Sequence, residues 1–148
     1  MARNLIVFLT LLGVISAGIF YAVQSDPEYN SLRLFEQTLQ KFSQGSNELE
    51  AQFTQKGALI PSSSEFIVNF VADSGNILPI TVTKIVNERI VTLVLADGDW
   101  PLSNQTIVLE PFIKESQLRW KCIEGSVLVR NRNKNCRLGY GIVTSELR

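Results

Sequence analysis

The chain has no histidine among its 148 residues. Histidine is the most frequent general base and metal ligand, so this gap excludes Ser-His-Asp, Cys-His and His-centred zinc chemistry. A Gly-rich phosphate loop is missing too, no nucleophile motif is present, and no spacing selects a pair of carboxylates of the glycosidase kind. Neither sign of charge is in excess: 14 Lys and Arg stand against 14 Asp and Glu, which argues against wholesale nucleic-acid binding. Asp97, Asp99 and Asn104 lack the spacing and terminal Glu of a calcium loop and read as a plain loop. What is present is 45% apolar residues in a length suited to one small domain with no second core. The expectation is a protein that is not an enzyme, holds no cofactor or metal, and takes no small-molecule substrate.

Residues 5–23 form a run of nineteen without a charge, in which Thr10, Ser16 and Tyr21 are the clearly polar side chains. As a helix rising 1.5 Å per residue the run is roughly 28 Å long, close to the hydrocarbon core of about 30 Å. Arg3 and the terminal amine precede it, and Asp26 and Glu28 follow it. The positive-inside bias therefore puts residues 1–4 in the cytoplasm, residues 5–23 across the membrane as a single pass, and residues 24–148 outside the cytoplasm as the head. The rival reading is a removable signal peptide cut after Gly18. Against it, the apolar run continues through Ile19, Phe20 and Tyr21 to Val23, whereas a signal peptide usually turns polar near its cleavage site.

Beyond this run, Ser25 or Asp26 is placed to cap a helix with Pro27 at its first position. Leu32, Phe35, Leu39, Phe42, Leu49 and Phe53 follow a 3-4 spacing that predicts an amphipathic helix, with Gly57 and Pro61 closing the helical region. Gly45, Ser46 and Asn47 mark a place to kink or restart it, because Asn47 with Glu50 has capping-box spacing, so one helix or two nearly collinear ones are expected over roughly residues 27–56. After Pro61 the pattern changes to short β-rich runs at residues 65–71, 80–86, 89–95, 105–109, 118–123 and 126–129, with turn signals at Asn87-Glu88 and Asp97-Gly98-Asp99. Helix first and strands afterwards predicts an α+β fold, with the helix laid on one face of an antiparallel meander.

Cys122 and Cys136 are the two thiols, and both fall in the part expected outside the cytoplasm, where a disulfide is the natural state. A redox-active pair usually stands closer, as in Cys-x-x-Cys, so a structural bridge is expected. Between and just beyond them lie Arg130, Arg132, Lys134 and Arg137. From Lys114 onward the chain carries a net charge of +5, against −6 over residues 26–113. The basic stretch is either a solvated turn or a docking surface for an acidic partner. DNA is the weaker candidate, because the loop has no aromatic residue to stack on bases.

The segments Thr106-Ile107-Val108-Leu109-Glu110-Pro111 and Leu118-Arg119-Trp120-Lys121-Cys122, followed by Cys136-Arg137, resemble the last strands and disulfide-bounded loop of type IVa pilins. There a Trp-x-Cys strand and a later Cys-Arg bracket the variable region. The likeness covers about thirty residues in motif. It implies a pilin-like α+β fold: a long N-terminal helix, transmembrane in its first half and amphipathic in its second, packed on the meander sheet, with a C-terminal disulfide loop. The chain departs from pilins at the processing site, where a Gly precedes an aromatic or Met residue and then Thr-Leu-x-Glu. Here no residue from 5 to 23 is acidic, and Gly13 is followed by Val14-Ile15-Ser16-Ala17. Without that buried Glu the chain lacks the electrostatic register of a filament subunit. The resemblance therefore implies a type IV pilin-like accessory protein in the bacterial inner membrane. Its periplasmic head would meet the major pilin or the pilus assembly machinery through its sheet edge and disulfide loop, tuning assembly or retraction and hence twitching motility. The alternatives are a divergent minor pilin or type II secretion pseudopilin that enters a filament, and a soluble periplasmic binding module released by signal peptidase.

Overall fold

In a computed structural model, which describes residues 27–72, 75–115, 117–132, 136 and 142–143, Pro27 opens the first of the described helices, α1 (Pro27–Gln44). Proline suits that position because its missing N–H has no intrahelical partner there. The face that α1 buries carries Ser31, Leu34, Phe35, Thr38, Leu39 and Phe42, a 3-4 repeat. Its two hydroxyls are satisfied within the helix: Ser31 donates to the Pro27 carbonyl at 2.7 Å and Thr38 to the Leu34 carbonyl at 2.8 Å. Leu34 takes the central place, and Leu32 is only half-buried.

Helix α1 ends at Gly45, whose N–H bonds back three residues to the Phe42 carbonyl at 3.0 Å, as the Ser46 N–H does to Ser43 at 3.3 Å. Bonds of that short reach tighten the last turn. Ser46 stands at the N-cap position of α2 (Asn47–Lys56), but its hydroxyl makes no capping bond to a helix N–H and lies instead 2.9 Å from the Ser43 carbonyl and 2.8 Å from Glu50 Oε1. Gly57 terminates α2 at φ 68°, a left-handed conformation with little cost for glycine, and donates to the Phe53 carbonyl.

These helices correct the expected fold class. The pilin-like plan required one long N-terminal helix, but the described chain has two short ones, of 18 and 10 residues, broken at Gly45-Ser46. Among the described residues no helix is long and apolar enough to cross a membrane. Glycine is the poorest helix former after proline, and the buried Ser46 turns its hydroxyl to neighbouring groups, so the amphipathic half divides where the core is already filled by Phe42 and Leu49. Residues 1–4 and 5–23, expected in the cytoplasm and the membrane, lie outside the described residues.

The sheet runs β1 (Ser62–Val71), β2 (Ile77–Val86), β3 (Val91–Leu95), β4 (Thr106–Lys114), β5 (Gln117–Glu124) and β6 (Ile142–Val143). Neighbours in sequence are neighbours in space and every pair is antiparallel. Five strands have five or more residues, and the two-residue β6 lies at the far edge. The register lines up Val68 with Ile80, Val82 with Leu95, Leu93 with Ile107 and Leu109 with Cys122, all on one face. With Leu34, Phe35, Leu39 and Phe42 of α1 and Trp120 of β5 these side chains make the core. Burial of each large apolar side chain contributes about 1.5–3 kcal/mol, so this one-sided layer supplies most of the drive to fold.

Two strands run through prolines that the sequence pattern reads as boundaries. Pro79 lies in β2 opposite Asn69, and Pro111 lies in β4 opposite Trp120. The ladder from β2 to β3 begins at Val82, and that from β3 to β4 ends at Leu109. Each proline therefore has a paired strand on one side only, the setting in which proline is tolerated. Residues 126–129, expected as a strand, instead make a bend and enter a 3-10 turn (Val129–Asn131).

Candidate functional site

Cys122 at the end of β5 is bonded to Cys136, and both are buried. The chain between them starts by running on beside the beginning of β4. Gly125 sits at φ 127°, and a Cβ there would lie 2.3 Å from the Thr106 carbonyl oxygen. Ser126 and Thr106 then exchange bonds: the Thr106 N–H donates to the Ser126 hydroxyl at 2.8 Å and the Ser126 N–H to the Thr106 hydroxyl at 3.1 Å. With the Val127 N–H on the Thr106 carbonyl at 3.4 Å, these side-chain bonds hold the segment against β4 without its being a strand.

The basic residues of this loop have separate roles. Arg132 is half-buried and turned inward, its Nε donating to the Val127 carbonyl at 2.9 Å and its guanidinium NH2 to the Gly125 carbonyl at 3.1 Å. It clasps its own loop. Arg130 is exposed and pairs with Glu28 in the first turn of α1 at 3.3 Å, and a pair so open to solvent contributes about 0–1 kcal/mol. Lys134 and Arg137 lie outside the described residues. Of the four basic candidates, the described two thus tie the disulfide loop to itself and to the start of α1.

The Asp97 loop is closed from within. Asp97 Oδ1 accepts from the Ser103 hydroxyl at 2.9 Å and from Asn104 Nδ2 at 2.7 Å, while the Gly98 N–H donates to Ser103 Oγ. Among the described residues no cluster of three or more acidic or thiol side chains is arranged to hold a metal ion.

A second surface was not singled out from the pattern of residues. Two adjoining cavities of about 240 and 260 Å³ follow β1 from Ser64 to Asn69, on the side where no strand lies beside it among the described residues, and share Lys41 and Gln44 of α1 as a wall. Gln37 and Gln40 continue that wall. The residues 37, 40, 41 and 44 are one polar stripe at helical spacing. By itself such a stripe reads as a solvated face, and it becomes the side of a groove only once β1 is known to be the edge strand that lies against it.

No protein-family model, no curated protein and no solved structure matches the chain.

Proposed function

We propose that this chain is a non-enzymatic accessory protein of a type IV pilus, held in the bacterial inner membrane by residues 5–23. Its periplasmic head would promote or modulate pilin assembly or retraction. The observation that carries this reading is the bonded pair Cys122–Cys136. Such a bond persists on the oxidising side of a membrane, the side to which the charge bias around residues 5–23 assigns the head. The pilus part rests on residue likeness alone, in Thr106-Ile107-Val108-Leu109-Glu110-Pro111, Trp120-Lys121-Cys122 and Cys136-Arg137. It does not rest on a shared fold.

On this reading the head works by contact. A one-layer sheet stiffened by α1 and the disulfide holds two surfaces in fixed relation, the loop after β5 and the edge of β1. Binding energy at either would shift pilin between its stored and assembled states, with no bond made or broken. Deleting the gene and counting surface pili, with twitching as a second readout, tests the proposal. A changed pilus number is expected, and unchanged pili and motility would overturn it. The mass of the mature N-terminus separates the alternatives: an intact N-terminus is expected here, whereas a filament subunit loses a leader and gains an N-methyl group.

A further inference from the structure

We propose that the groove between α1 and the free edge of β1 receives an extended segment of another protein, carrying at least one carboxylate, as an added strand of the sheet. The inference does not depend on the pilus assignment. It starts from backbone direction. The hairpin joining β1 to β2 is closed by the Ala72 N–H on the Asn76 carbonyl, so the even-numbered residues of β1 bond to β2 and the odd-numbered ones point away. The Arg33 guanidinium donates to the Val71 carbonyl from α1, outside the ladder, in agreement with that phase. It also closes one end of the edge. The N–H and C=O groups of Glu65, Ile67 and Asn69 then face outward with no strand beside them among the described residues.

Edges of this kind are normally blunted by shortness, proline, lysine or a bulge. Strand β1 has ten residues, none of them proline or lysine, no register shift against β2, and contains Phe66-Ile67-Val68 and Phe70-Val71. Ile67 is 53% exposed. The paired cavities follow residues 64–69 of this edge, a run of roughly 20 Å at strand rise, the length of about six residues of an incoming strand. Their helix wall holds an unanswered acceptor: Gln37 Oε1 is buried and has no donor. A strand laid along β1 brings outward N–H groups of its own to that position. The groove also holds Lys41 and Lys84 against the single carboxylate of Glu65, and neither lysine has an ion-pair partner among the described residues. That surplus of positive charge selects an acidic segment. The mode is strand addition, in which main-chain bonds supply affinity and alternate side chains supply choice.

The test is selection of octapeptides from a random display library against the full chain in detergent micelles, followed by amide exchange. Enrichment of β-branched alternating sequences with a carboxylate is expected, together with slowed exchange at Glu65, Ile67 and Asn69 when the selected peptide is added. Ile67→Pro removes one outward N–H without touching the β2 ladder, and should weaken the peptide at least tenfold while leaving the thermal midpoint within a few degrees. Should that variant lose its fold, Lys41→Glu serves instead, with an expected loss of about fivefold for the acidic peptide. No enrichment, or protection confined to other strands, would overturn the proposal. So would β1 amides that are already protected before peptide is added, since residues 1–26 or a second copy would then occupy the edge.

Discussion

Phe42, near the end of α1, meets Trp120 of β5 edge to face, with ring centroids 5.1 Å apart and planes at 82°. Both rings are buried, at 4% and 1% exposure, and Trp120 lies two residues before Cys122 on the same face of the strand. The contact joins helix, sheet and disulfide in one place. Phe42→Ala should cost about 3–5 kcal/mol, since it removes a large buried ring and leaves a cavity. Urea unfolding followed by near-ultraviolet dichroism measures it, and a cost under about 1 kcal/mol would show that the ring does not anchor the helix.

Gly125 is the point at which the chain after β5 comes closest to the start of β4. Gly125→Ala places a methyl group against the Thr106 carbonyl and asks an L-residue to hold φ 127°. Both effects act in the same direction, and a loss of roughly 2 kcal/mol or more is expected in thermal or urea unfolding. The Gly57→Ala control has open space around its Cβ and a milder φ of 68°, so it should lose only about 1 kcal/mol.

Removing the bridge as Cys122→Ser with Cys136→Ser opens a loop with a sequence separation of 14. The chain-entropy account assigns about 3 kcal/mol to a loop of that size. Reduction of the wild-type protein should shift its urea midpoint as far as the double variant does. A shift much smaller than this would mean that Arg132 and the Thr106–Ser126 exchange already hold the loop.

Arg130 and Arg132 should separate cleanly. Arg132→Ala leaves the Val127 and Gly125 carbonyls without their charged donor, an expected loss of about 1–3 kcal/mol. Arg130→Ala breaks one exposed pair with Glu28, and its effect should stay within about 1 kcal/mol and fade in high salt. If the two variants proved equally destabilising, the inward turn of Arg132 would not be what holds the loop.

Much of the strand layout was legible because its signals are local. The change of period after Pro61 and the turn at Asn87-Glu88 fall where β1 begins and where β2 gives way to β3. Legibility failed where a neighbour decides. Pro79 and Pro111 look like strand ends, and they are accommodated because the adjacent strand stops short of each. Leu32 looked like a core residue, but Leu34 holds that place, since both satisfy a loose 3-4 count and only the position of the sheet chooses between them. Arg130 and Arg132 looked alike in sequence, yet one reaches α1 and the other its own backbone.

From the order of residues alone came the exclusion of histidine chemistry, the apolar character of residues 5–23, the alternation of the strands and the pairing of the two thiols, because each depends on composition or on spacing of a few residues. The break between the two helices falls at Gly45-Ser46, where the sequence itself marks a place to kink or restart, whereas tertiary structure decided that the polar stripe at Gln37, Lys41 and Gln44 lies beside β1, a strand with no neighbour on its outer side among the described residues. The second outcome depends on which surfaces meet across some twenty to thirty intervening residues. Periodicity carries no information about such encounters, because it records how a segment faces a core and not which segment lies across from it.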